Sequence, residues 1–434
     1  MSLLFGTAEY NEKNHLAIGG CDTTELAEKY GTPLFIYDVA QIREKARGFK
    51  KTLDEMGVKN KVVYASKAFS CLAVYKLLEE ENLGCDVVSG GELYTALKGG
   101  MNPDNIEFHG NNKTKEELEF ALDSKIGMII IDNFYELELL KELTASKGVK
   151  QAVMLRITPG VNAETHEFIL TGQVDSKFGF DVNSGQAEKA LATALEIEGL
   201  DVKGIHCHIG SQIFSSEGFI IAVEKMMAIL QKYKENYGYI ADILNMGGGF
   251  GVKYVESDTP LKPEQFVQAI VEAVKGHCAI LEYPLPEIWI EPGRNIVAEA
   301  GTTLYKVGSQ KVIPDIRHYV SVDGGMGDNI RPALYDAVYT AALANRVSEG
   351  NKSEVALVGK YCESGDVLIK SIELPDLIAG DLLAMSSTGA YGYSMANNYN
   401  RNPRPAVIFV EDGKDTLVVR RETYEDLISL DCEV

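Results

Sequence analysis

Residues 240–251 read IADILNMGGGFG: a short apolar run that breaks into three successive glycines, with a fourth two residues on. Runs of the same kind recur on both sides of it. Upstream lie Lys61–Tyr64 (KVVY), Gly84–Val88 (GCDVV), Asn105–Phe108 (NIEF), Gly127–Ile131 (GMIII), Gln151–Ile157 (QAVMLRI) and Val202–Cys207 (VKGIHC), and downstream lies Glu287–Ile290 (EIWI). With Ile240–Asn245 they make eight. They are rich in Val and Ile without strict alternation, as expected of strands covered on both faces. Helical patterns separate them at Thr114–Leu122, Asn133–Ser146, Gln186–Glu198, Glu217–Tyr237 and Pro263–Leu281. Thr114 with Glu117 three residues on has the spacing of a capping box. Eight strand–helix units in about 240 residues is the size of a (β/α)8 TIM barrel. A doubly wound open sheet could also use eight strands, but no GxGxxG follows the first of them.

The pattern changes near residue 300. Thr302–Val312, His318–Val322, Glu354–Gly359, Asp366–Leu374, Asp381–Met385, Arg404–Val410 and Asp415–Arg420 read as strands joined by turns. The run Leu34–Tyr37 (LFIY) precedes the barrel pattern and is free to add a strand to that later sheet. The expected division is an N-terminal segment 1–38 joining the β-rich domain, a barrel over 39–300, and a C-terminal β-rich domain over 301–434.

Composition bounds the function. The 434 residues carry 42 Lys+Arg against 63 Asp+Glu, a formal net charge of −21. That balance argues against a nucleic-acid partner, because phosphate backbones need basic faces. Seven cysteines without a CxxC pair fit a reducing compartment better than a disulfide framework or a zinc ribbon. The N-terminal MSLLFGTAEYNEKNH has neither the basic start nor the apolar stretch of a secretory leader, and no run reaches the ~18 apolar residues of a membrane span. A soluble cytoplasmic chain with no membrane partner is expected.

In such barrels the active site lies at the C-terminal ends of the strands. Here those ends carry Lys67, Asp86, His109, the HCHIGS run of 206–211, the glycines at 247–249, and Glu291-Pro292-Gly293-Arg294. Glycines let backbone N–H groups approach an anion closely, and the loops after strands seven and eight form the recurring phosphate site of these barrels. A lysine desolvated at a barrel mouth becomes a nucleophile toward carbonyls. A phosphate site, a lysine and a carboxylate together point to pyridoxal 5'-phosphate, with Lys67 bonding its aldehyde and Glu291 pairing with its ring nitrogen. His206 and His208, two apart on a strand, face the same side and suit a metal, but no further His, Cys or carboxylate stands at ligand spacing, so no metal is expected.

YASKAF (64–69), SGGEL (89–93), HCHIGSQ (206–212), GGGFG (247–251), EPGR (291–294), CESGD (362–366) and GAYGYSM (389–395) resemble the fold-type III, alanine-racemase-like pyridoxal-phosphate decarboxylases. The resemblance runs from about Thr32 to Val410. It implies Lys67 as the cofactor-bonding lysine and His208 as the histidine stacked on the ring. Ser211, Gly248, Gly249, Gly293, Arg294 and Tyr391 are implied as cofactor-site residues near the phosphate, and Glu291 as the carboxylate at the ring nitrogen. Asp86 and His109 fall on the cofactor-side rim. Arg331 and Tyr335 of NIRPALY, with Arg294, are implied to grip a distal carboxylate of the substrate, Glu363 to partner a distal ammonium, and Tyr391 to be a further substrate-binding residue. Cys362 resembles the acid that returns a proton to the reacting carbon, alongside Lys67. In this family Cys362 and Glu363 enter from a second subunit, so a homodimer is implied as the catalytic unit.

NIRPALY followed by CES favours the branch that converts meso-2,6-diaminopimelate to L-lysine and CO2, the last step of lysine synthesis. Ornithine and arginine decarboxylases share the cofactor set, but their substrates lack a second carboxylate. A carboxynorspermidine decarboxylase, whose substrate has one, is the harder relative to separate. A non-catalytic pyridoxal-phosphate carrier would lack residues 300–434, and a racemase of this fold would use a tyrosine base and keep the α-carboxylate. Asn295 after EPGR and Gly327 in GGMGDNI depart from the family's commoner choices, at positions without an assigned role.

Overall fold

The computed structural model describes residues 4–161, 176–347 and 350–432. Eight parallel strands form the barrel: β1 (Asn60–Ala65), β2 (Gly84–Val87), β3 (Ile106–Phe108), β4 (Met128–Ile131), β5 (Gln151–Thr158), β6 (Leu200–His206), β7 (Ile243–Asn245) and β8 (Glu287–Ile290). Each pairs with the next, and β8 closes on β1 through Ile288–Asn60 and Trp289–Lys61. A short extra strand, Phe180–Asp181, adds in parallel to β5.

Side chains alternate along a strand, so residues two apart share a face. That period builds the barrel in tiers. Val63, Met128, Ile130, Met154, Ile243 and Trp289 form one buried apolar cluster. Two residues beyond four of these stand Asp132, Arg156, Asn245 and Glu291, all buried or nearly so. The apolar tier fixes the strands, and the next tier toward their C-terminal ends is polar. Between β6 and β7 the backbones run so close that a Cβ at Gly204 would stand 1.8 Å from the Ile243 carbonyl oxygen.

The helices begin where capping chemistry allows. Lys115–Asp123 starts after Thr114, whose hydroxyl accepts the Glu117 N–H while the Glu117 carboxylate accepts the Thr114 N–H. Phe134–Lys147 starts after Asn133, which accepts from the Glu136 N–H, and ends at Gly148 in the left-handed region.

The chain divides into two units. The barrel unit comprises Lys45–Gly251 and Thr259–Asn295, and the second comprises Met1–Glu44, Val252–Asp258 and Ile296–Val434. In the second unit the long strand Gly301–Ile313 is the spine. It pairs antiparallel with Leu34–Asp38, Leu382–Met385 and Arg317–Val322. Leu34–Asp38 pairs in turn, in parallel, with Ala406–Glu411. The LFIY run thus joins the later sheet, as its sequence suggested. Its Leu34 and Ile36 pack with Leu304, Ala384, Ile408 and Val410.

Some edges differ from the sequence reading. The run beginning at Arg404 pairs only from Ala406, because Pro405 has no N–H to give a ladder. β7 begins at Ile243 rather than Ile240, which is 47% exposed. Three two- or three-residue strands (Glu9–Tyr10, Leu16–Ile18, Cys21–Asp22) and the helix Thr23–Tyr30, capped by Asp22, carry too little periodicity to be read. No helix among the described residues is long and apolar enough to cross a membrane.

Candidate active site

Ten of the residues singled out by sequence stand at the C-terminal rim of the barrel unit. Lys67 lies in a short turn of 3-10 helix, Ser66–Ala68, directly after β1. Asp86 is on β2 and accepts the Ser66 N–H at 2.8 Å, which fixes the backbone just before Lys67. His109 follows β3, and His208 and Ser211 follow β6. Gly248 and Gly249 follow β7, and Glu291, Gly293 and Arg294 follow β8. The lysine itself is exposed, so the desolvation expected of it is not supplied by the chain.

Glu291 is the best-anchored group of the rim. Its Oε1 accepts from Asn245 Nδ2 at 2.8 Å and lies 3.2 Å from His109 Nε2, and its Oε2 lies 3.1 Å from His206 Nε2. Burial by itself would make this carboxyl hard to ionise, but His206 and His109 outweigh it and hold Glu291 well below the ordinary carboxylate range. Burial works against a charge on His109 too, yet Glu291 and then Glu107 beside it raise its imidazolium to about 9. His206 goes the other way: burial lowers it to about 4, with Glu291 only partly opposing. One histidine of the pair is therefore charged at neutral pH and the other is not. Burial also raises Asp86 and Glu107.

Two expectations about the histidines need correction. β6 ends at His206, so His208 lies beyond the strand and the two do not share a face as strand neighbours would. His206 turns to Glu291, while His208 Nδ1 accepts the Gly248 N–H at 3.3 Å. Nor does His206 lack a ligand set. One ligand atom each from His109, His206 and Glu291 lie within 4.8 Å of one another. His109 comes from a strand about a hundred residues away, which spacing cannot reveal. His206 hydrogen-bonds Glu291 and His109 stands within ion-pair distance of it, so the set anchors Glu291.

The glycine run is built for close approach. Gly247 and Gly249 have positive φ, and a Cβ at Gly248 would stand 2.0 Å from the Glu291 carbonyl oxygen. The Gly247 N–H is taken by Asn245 Oδ1 at 2.9 Å and the Gly248 N–H by His208. The anion cradle thus narrows to Gly249, Ser211 and Arg294, whose Nη2 donates to Ser211 Oγ at 3.0 Å. Burial, with the charges of Lys67 and Arg156, keeps the His208 imidazole neutral, as a flat stacking surface should be. Amine, neutral ring, anchored carboxylate and anion cradle are the donor set that pyridoxal phosphate requires.

Sequence reasoning missed Glu107, Arg156 and Asn245. Arg156 lies 3.9 Å from Asp132 and over the Phe178 ring, 4.4 Å from its centroid. Each is a polar residue within an apolar parallel strand near its C-terminal end, and that placement was the available signal.

The remaining five candidates belong to the second unit. Arg331 is buried, bonds to the Tyr339 hydroxyl, and stands over the rings of Tyr254 (5.1 Å) and Tyr339 (5.6 Å). Tyr335 is exposed, as are Cys362 and Glu363. Asp366 of CESGD accepts the N–H of Tyr361 (2.9 Å) and of Met326 (2.7 Å), tying the Cys362 turn to the GGMGDN turn. Tyr391 holds a φ of 60° directly before Gly392.

Residues 39–298 match the family model described as the pyridoxal binding domain of pyridoxal-dependent decarboxylases. The diaminopimelate decarboxylase of Bacillus subtilis (strain 168) is 56% identical over 428 residues, covering 99% of this chain and 98% of that protein. The chain belongs to the diaminopimelate decarboxylase family. Solved structures agree. The M. jannaschii diaminopimelate decarboxylase in co-complex with L-lysine has a TM-score of 0.93 at 38% identity, covering 99% of this chain and 98% of that one. The Helicobacter pylori diaminopimelate decarboxylase complexed with L-lysine has a TM-score of 0.86 at 34% identity, covering 94% and 99%. The family accounts for the cofactor, which is pyridoxal phosphate.

Proposed function

We infer that this chain removes CO2 from meso-2,6-diaminopimelate to give L-lysine, the last step of lysine synthesis. The observation that carries this reading is full-length identity of 56% to a diaminopimelate decarboxylase, in a chain whose barrel rim holds the pyridoxal-phosphate donor set. Lys67 supplies the amine that bonds the cofactor, His208 a face for the ring, Ser211, Gly249 and Arg294 the phosphate site, with Tyr391 reaching the same phosphate. When bound, pyridoxal phosphate supplies a covalent hold on the substrate amine and takes up the electron pair left by departing CO2.

The chain's own residues do the rest. Glu291, held ionised, keeps a proton on the ring nitrogen by charge pairing. Arg331 presents a planar cation to the distal carboxylate, with Tyr335 and Arg294 contributing, and Glu363 takes the distal ammonium. Fixing the far end orients the near end, and such orientation is worth up to roughly 7–11 kcal/mol. A proton must return to the α-carbon, and Cys362 and Lys67 are the two groups to carry it. We place Cys362 and Glu363 at the partner's site, so the working unit is a homodimer. Seven unpaired cysteines suit a cytoplasmic location.

The test is a product assay. With meso-diaminopimelate the purified holoenzyme releases CO2 and L-lysine in equal amounts. Faster release from ornithine, arginine or carboxynorspermidine would replace this reading with its nearest rival.

A further inference from the structure

The HCHIGS run holds two histidines, and the reaction above uses only the second. We propose that His206 is a positioning residue whose Nε2–H holds the Glu291 carboxylate in place against the cofactor's ring nitrogen. This rests on the reading that Glu291 faces that nitrogen.

The geometry is specific. His206 is 1% exposed, and its Nε2 lies 3.1 Å from Glu291 Oε2. Its other ring nitrogen, Nδ1, is buried with no hydrogen-bond partner among the described residues. A carboxylate only accepts, so Nε2 must carry the proton, and a bare Nδ1 then makes the ring a neutral donor. The ring stands edge-on to His109 at 5.0 Å and 76°. Three strands thus hold one side chain from the loop after β8: β6 and β7 by hydrogen bonds from His206 and Asn245, and the end of β3 by the ion pair of His109.

The two histidines are not equivalent. His109 brings a charge to Oε1 and cancels part of the carboxylate's own. His206 fixes Oε2 without cancelling any, which leaves negative charge for the ring nitrogen. The other charged groups acting here are Glu107 on β3, Asp86 on β2, Arg156 on β5, and Lys67 after β1. Cys207, the remaining titratable neighbour, is pushed up to about 12 by burial and is therefore neutral. None of them donates a hydrogen bond to Glu291 Oε2 in the structure.

The test is a pH titration of the cofactor's visible absorbance in purified holoenzyme, reading the pH at which the protonated-ring spectrum is lost. Gln and Asn are both polar and neither is larger than His, so neither overpacks the core. The Gln amide reaches the Nε2 position, whereas the Asn amide reaches only the Nδ1 position. His206→Gln is expected to titrate like wild type. His206→Asn is expected to lose the signal about one pH unit lower or more, a tenfold weaker hold on the proton. It should also lower kcat while changing KM for meso-diaminopimelate little. If both variants titrate like wild type, or both fall equally, His206 only packs and the proposal is overturned. Glu291→Gln separates the layers: if it leaves the titration unmoved, the assignment of Glu291 itself fails.

Discussion

Glu291 keeps its charge in a place where an isolated carboxylate would give it up, and His109 is what balances it. This has a consequence for stability. The His109 imidazolium is favoured in the folded chain, at about 9, against 6.5 for an ordinary histidine. Its contribution is therefore complete below about pH 6.5 and disappears as pH rises through about 9. A shift of that size is worth a few kcal/mol, on the order of 1.4 per unit. Urea midpoints measured from pH 6 to 9.5 should fall for wild type and stay flatter for His109→Gln. Arg331 is the other residue with a narrow duty. It stands over the rings of Tyr254 and Tyr339 and bonds to the Tyr339 hydroxyl, so tyrosines rather than a carboxylate hold its guanidinium. Arg331→Gln should raise KM for meso-diaminopimelate roughly 10- to 100-fold, the cost of a charged hydrogen bond, with kcat falling less. Both residues were visible in the sequence because they sit in motifs. Arg156, Glu107 and Asn245 were not, since a single polar residue in a buried strand has no local partner to announce it.

Among elements, β6 and β7 meet where no side chain fits. Gly204→Ala would push a methyl into the Ile243 carbonyl, and overpacking of this kind costs roughly 1–3 kcal/mol. A drop in urea midpoint with unchanged far-UV circular dichroism would bear this out, and wild-type stability would refute it. The clash lies two residues before His206 and Asn245 on the same two strands, so cofactor retention should suffer too. The eight barrel strands were legible because parallel strands covered on both faces are apolar over most of their length. Their ends were less so. Where pairing stops depends on the neighbour's length, as at Ile240, or on a missing N–H, as at Pro405. The first thirty residues resisted reading for a different reason: strands of two and three residues cannot display a period.

At the scale of the molecule, the proposed sharing of Cys362 across a dimer predicts complementation. Lys67→Ala and Cys362→Ala should each be inactive or nearly so alone. Mixed under conditions that let subunits exchange, they should recover about a quarter of wild-type activity, because half the dimers are mixed and each of these has one whole site. No recovery would mean that every site is built from one chain.

The order in which the second unit's strands leave the ribosome carries its own consequence. Leu34–Asp38, with all five residues buried, lies between Gly301–Ile313 and Ala406–Glu411 in the finished sheet. Its first neighbour is translated roughly 260 residues later. At synthesis rates of about 5–20 residues per second, that apolar ribbon waits for something like a quarter to most of a minute while the barrel emerges. Nascent chains should be captured by trigger-factor-like holdases through that interval, and slowing translation downstream of residue 44 should lower the soluble yield.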